Sequence, residues 1–167
     1  MKICSFFGHR NTEATTELCS ELRKTILYLI NEKDVQYFLF GSRSRFDDLC
    51  LQIVSELQAE YPQIQRVYVR SNYPYIRKEY KEYLLESYDD TLMPSRLENA
   101  GKASYVERNR EMINASDFCV FYYDKEYKPP LRKQSRKALF SYQPESGTRL
   151  AYEYASQKKK QIINLFH

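Results

Sequence analysis

Short apolar, β-prone runs alternate along this chain with stretches in which apolar residues recur every three or four positions, and no other feature restricts its fold as much. Lys2 to Phe7 is a run of the first kind, ended by Gly8. Leu18, Cys19, Leu22, Ile26, Leu29 and Ile30 then recur at helical spacing, with Asn11 or Thr12 as the expected cap. Val35 to Phe40 repeats the strand pattern up to Gly41, and Phe46, Leu49, Cys50, Ile53, Val54 and Leu57 mark a second helix. Ser44, with Asp47 three residues on, resembles a capping box for it.

Gln65 to Arg70 is the third strand, ending at Ser71-Asn72-Tyr73-Pro74. The stretch from Tyr75 to Ala100 is less regular, with a short helix expected over 77–86 and a short strand over 89–94. Lys102 to Ala115 has helical spacing and Phe118 to Tyr123 is a buried strand. A helix over about 146–158 and a strand over 161–166 close the chain. Strand and helix in alternation give an α/β fold in one domain over 1–167, a mainly parallel sheet with helices on both faces. In such folds ligands sit beyond the carboxyl ends of the strands, so the loops after the strands come first as candidate sites.

The first of these loops carries Gly8, His9 and Arg10. Glycine permits close backbone approach, the guanidinium suits phosphate, and the imidazole can bond phosphate or ribose. The second, with Gly41, Ser42 and Arg43, runs into a helix N-terminus and makes an anion site from hydroxyls and guanidinium groups. The third is Ser146-Gly147-Thr148, which by spacing either caps the last helix or holds a phosphate on its free N–H groups. Between the last two strands, residues 124–143 form a basic insertion or loop. Its segment 124–137 has six basic side chains against two acidic ones, a net +4 equal to that of the whole chain. Such an arm closes over a polyphosphate, touches nucleic acid, or is simply a solvated loop, and Pro129-Pro130 favours exposure.

GxGxxG and GxxxxGK[ST] are both absent, which speaks against nicotinamide and P-loop chemistry, and no cofactor is expected. With His9 and His167 the only histidines and no CxxC spacing, no metal site is expected, and the four cysteines are expected as reduced core thiols. No apolar run reaches membrane-span length and the N-terminus lacks a signal-peptide pattern, so a soluble cytoplasmic protein without membrane contact is expected. Five tyrosines, Tyr73, Tyr75, Tyr80, Tyr83 and Tyr88, crowd one stretch, where they suit half-buried packing better than base stacking.

Taken together, FFGHR, FGSRSRFDDL, SYVERNREMINASDFCVFYYD and ESGTRLAYEYA resemble the SLOG superfamily, in particular its small bacterial YpsA-like branch. The resemblance implies a Rossmann-like three-layer sandwich with a doubly wound sheet, frequent homodimers, and a pocket for nucleotides or nucleotide-derived molecules. In that picture Gly8, Arg10, Gly41, Ser42, Asp117 and Ser146 to Thr148 line or shape the pocket. The related "lonely guy" phosphoribohydrolases carry Arg-Lys-x-x-Met, similar to Arg108-Asn109-Arg110-Glu111-Met112, and Pro-Gly-Gly-x-Gly-Thr-x-x-Glu, similar to the stretch Pro144 to Ala151.

In those hydrolases the carboxylate after Gly-Thr supports the positive charge developing on the ribose, whereas this chain has Ala151 there. Glu153 lies about 200° further round the helix and is expected to point elsewhere. The likeness therefore implies a sensor or sequestering protein for a nucleotide-derived ligand. The alternative is an N-glycosidase acting on a nucleoside monophosphate, with Glu145 and Arg108 as its catalytic residues. Nucleic acid bound by the basic arm is a further possible partner.

Overall fold

A computed structural model describes residues 1–71, 77–97 and 101–167. Its main sheet has six strands, all parallel: β1 (Lys2–Gly8), β2 (Val35–Phe40), β3 (Gln65–Val69), β4 (Asp90–Leu92), β5 (Phe118–Tyr122) and β8 (Gln161–Asn164). They run in the order β4-β3-β2-β1-β5-β8. The chain builds outward from β1 to one edge, then returns to β1's other side with β5, so strand order reverses between β1 and β5. A crevice forms at such a switch point because the connections on its two sides lead away from each other.

Five helices accompany the sheet: α1 (Thr16–Lys33), α2 (Arg45–Gln58), α3 (Lys78–Leu85), α4 (Ser104–Ala115) and α5 (Gly147–Gln157). Successive residues of β1 face opposite sides, and the core divides accordingly. Cys4 and Phe6 pack with Phe38 and Phe40 of β2 against Leu22 and Ile26 of α1 and Phe46 and Val54 of α2. Phe7 packs with Leu39 and Phe121 against Met112 and Ile113 of α4 and Ala151 and Ala155 of α5. Helices therefore cover both faces of a Rossmann-like three-layer sandwich.

Burial holds the Cys4 and Cys50 thiols well above their ordinary value and pushes Cys119 up to about 12, so all three pack as neutral thiols. All four cysteines are free. Among the described residues no helix is long and apolar enough to cross a membrane.

Two local expectations are corrected. α1 is capped by Thr15, whose hydroxyl accepts from Leu18 N, and not by Asn11 or Thr12. The Thr12 hydroxyl is used one turn earlier, donating to the His9 carbonyl at 2.8 Å. Ser44 caps α2 by accepting from Asp47 N, but the Asp47 carboxylate returns to Ser42 N and Oγ rather than to the cap residue. Of the tyrosine cluster, Tyr88 packs on Phe40 and Tyr68, while Tyr80 and Tyr83 are exposed on α3. Tyr73 and Tyr75 lie outside the described residues.

The basic insertion leaves β5 and carries a small antiparallel hairpin, β6 (Arg132–Lys133) and β7 (Ser141–Tyr142), before α5 begins. Gln143 Nε2 donates to the Pro129 carbonyl, closing the arm on itself. The hairpin's connection is exposed, with Leu139 at 88% and Phe140 at 83%.

Candidate functional site

A cleft of about 560 Å³ opens beyond the carboxyl ends of the strands. Five segments meet there: the loops after β1 and β2, one face of α4, the arm after β5, and the start of α5. These are the segments flanking the switch point between β1 and β5, and the volume is that of a small-molecule site. Arg45 N donates to the Arg10 carbonyl at 3.1 Å, tying the first two loops together.

Gly8, His9, Arg10, Ser42 and Arg43 line this cleft, as do Ser146, Gly147 and Thr148. So do Glu145 and Arg108. Their individual roles differ from those that spacing suggested. A Cβ on Gly8 would lie 2.4 Å from the Phe46 ring, so this glycine lets α2 press onto the end of β1. A Cβ on Gly41 would lie 2.7 Å from Arg108 Nε and 2.6 Å from Met112 Sδ, so the bare backbone there makes room for the arginine. Gly147 has open space above it, which leaves the first turn of α5 accessible.

His9 is 6% exposed, and its Nε2 accepts from Asp124 N at 3.0 Å. That nitrogen must be unprotonated, so in the neutral ring the proton sits on Nδ1, which is buried without a hydrogen-bond partner. Burial pulls its pKa below the ordinary histidine value, against the opposing pull of Asp124. The ring also lies 4.0 Å, centroid to centroid, from Tyr127 of the arm. His9 thus fastens the root of the arm to the end of β1.

Asp117 is not part of the cleft. It precedes β5, and its Oδ2 accepts from Ile3 N at 2.9 Å while its own N–H donates to the Ile3 carbonyl. In a parallel sheet this is the amino end, opposite the crevice. Asp117 therefore joins the starts of β1 and β5, and its expected place in the pocket is corrected.

The start of α5 is well defined. Ser146 is its N-cap, with Oγ accepting from Arg149 N at 3.3 Å. The N–H groups of Gly147 and Thr148 have no acceptor within the helix, as for any first turn, and they carry the positive end of its dipole.

Arg108, which only the resemblance singled out, stands at the cleft wall. It is 3% exposed on α4, and its Nε and Nη2 donate to Asn109 Oδ1, a neutral acceptor. Among the described residues no carboxylate comes into ion-pair contact with it. Burial lowers its pKa, yet an arginine keeps its proton at neutral pH. Tyr68 and then Asp47 oppose that lowering, and Asp47 is itself buried and pushed up to about 7 by desolvation. The cleft thus has at one wall a buried cation whose charge is poorly matched.

Ala151 is 3% exposed and packs in the core shared with Phe7 and Met112; it does not line the cleft. Glu153 lies on the outer face of α5, paired with Arg149 at 2.8 Å. Tyr105 on α4 and Tyr127 on the arm also line the cleft without having been singled out from the sequence, and Pro129 and Arg132, read there only as parts of the arm, join them. Tyr105 lies under the Arg108 guanidinium, 5.4 Å from it.

Fold and cleft together define a Rossmann-like α/β sandwich with a ligand-sized crevice at its switch point. No protein-family model matches the chain, and no curated protein matches it.

Proposed function

We propose that the protein binds a nucleotide or nucleotide-derived molecule at this cleft and acts as a sensor, regulatory or sequestering protein. The observation that carries the reading is Arg108, a buried guanidinium without a carboxylate contact among the described residues. It lines the same cleft as the open first turn of α5. A buried cation and a helix N-terminus at one site both favour an anion, and phosphate satisfies the guanidinium fork and the backbone N–H groups together. Tyr105 and Tyr127 supply aromatic surface for a base on the same lining. The SLOG resemblance points the same way and adds a homodimer as the expected assembly.

Binding without turnover is favoured because the position of the hydrolases' carboxylate is Ala151, packed in the core. The second reading, hydrolysis of the N-glycosidic bond of a nucleoside monophosphate, rests on Glu145, a carboxylate that lines the cleft. A thermal-shift panel of nucleotides, with chromatography of each incubated ligand, separates the two. The expected result is a raised Tm with the ligand recovered intact. Release of free base, lost on Glu145→Gln, would establish the enzyme instead. No shift with any nucleotide would overturn the binding site.

A further inference from the structure

The cleft holds more positive charge than one phosphate requires. Arg10, Arg43, Arg108 and Arg132 line it, each from a different segment, and among the described residues Glu145 is the one carboxylate set against them. Among the described residues, none of the four is in ion-pair contact with a carboxylate. The chain has thirteen lysines and thirteen arginines, yet among the described residues the cationic side chains that line the cleft are all arginines. A diffuse basic surface would use both, whereas arginine's planar fork pairs two oxygens of one phosphate at a time.

The four are also distributed in depth. Arg108 is buried on α4, while Arg10, Arg43 and Arg132 are exposed, with Arg132 on the hairpin of the arm. Arg43 lies over the Tyr83 ring, 5.7 Å from its centroid. One phosphate on Arg108 and the first turn of α5 leaves the guanidinium groups of the loops and the arm facing the same space.

From this we infer that the ligand carries two linked phosphate groups, a nucleoside diphosphate or an ester of one, and that Arg132 brings the arm onto the second phosphate. The inference rests on the nucleotide-binding reading and narrows it. It also gives the basic arm a task within the cleft. His9 and Tyr127 hold the root of the arm, and Pro129 and Pro130 carry it along the lining to Arg132.

Calorimetric titration with AMP, ADP, GMP, GDP, orthophosphate and pyrophosphate tests it on the wild-type chain and on Arg132→Ala. Arg132 is exposed, so the variant keeps the fold. The expected result is a diphosphate bound about tenfold or more tightly than its monophosphate, with Arg132→Ala removing about tenfold from the diphosphate and less than about twofold from the monophosphate. Equal affinity for mono- and diphosphates would overturn the inference and leave nucleotide binding standing, as would an equal loss of both in the variant. Pyrophosphate binding without any nucleotide would overturn the nucleotide reading and, with it, the nucleoside part of this inference, leaving a bare diphosphate site. No binding by any of the six would overturn both.

Discussion

Asp47 is sealed from solvent and still carries an ionisable carboxyl group. Its Oδ2 accepts from Ser42 N at 2.8 Å and Ser42 Oγ at 2.6 Å, while Oδ1 is buried without a partner. Desolvation raises its pKa from 3.8 to about 7, outweighing the Ser42 hydrogen bonds and the Arg108 charge. Between these values the folded chain holds a proton that the unfolded chain has shed. This contribution to stability is therefore complete below 3.8 and is lost as pH rises through about 7. His9 has the opposite slope: its folded pKa lies below 6.5, so the stability of the neutral ring is present above that value and is lost as pH falls through the lowered one.

Asp47→Asn isolates the first effect, since both chains keep His9 and an amide oxygen can still accept from Ser42. The variant is expected to gain about 2 kcal/mol more over wild type at about pH 8 than at about pH 5, roughly 5 °C in Tm. Thermal melts of both chains at the two pH values measure it, and a pH-independent difference would show that Asp47 titrates normally.

At the scale of the element, α5 combines a structural and a functional demand in one turn. Ser146→Ala removes its cap and is expected to cost about 1 kcal/mol, some 3 °C in Tm, in the unliganded chain. Gly147→Ala meets open space, so it is expected to leave the unliganded Tm nearly unchanged and to weaken phosphate binding by intruding on the accessible turn. Melts with and without nucleotide compare the two, and equal ligand-induced shifts in wild type and Gly147→Ala would remove that turn from the site.

The strands β1, β2 and β5 were legible because each is a short apolar run, and the long helices because each has its own apolar period, whereas the hairpin strands Arg132–Lys133 and Ser141–Tyr142 carry no such signal. The cap of α1 was not, since Asn11, Thr12 and Thr15 are all eligible and the choice depends on the turn that consumes Thr12. Arg108 entered only through the resemblance, as a catalytic residue of the alternative reading, and its burial was not read from the sequence. The signal was nonetheless present, since it stands four residues before Met112 and so shares its buried face. Asp117 could likewise have been excluded, because a residue that precedes a strand of a parallel sheet lies at the end away from the crevice.

For the molecule as a whole, the core and the net charge lie in different parts. The sandwich carries the core, and the arm carries a charge equal to the chain's net value. Limited trypsin digestion is expected to cut first at Arg136 or Lys137, both exposed in the connection of the hairpin. The two fragments should stay together on size exclusion, because β5 and β8 pair across the nick and α4 packs on α5. First cleavage within the sandwich, or separation of the fragments, would contradict this division; mass spectrometry identifies the sites.

How the arm is fastened bears on how such a chain can change over generations. Its root is held by the ring of His9 and its base is closed by Gln143 on Pro129, so the residues between answer to the cleft and hardly at all to the core. That makes the arm an exchangeable part. Substitutions along 131–142 can retune which molecules the crevice accepts while the six strands beneath go on folding as before.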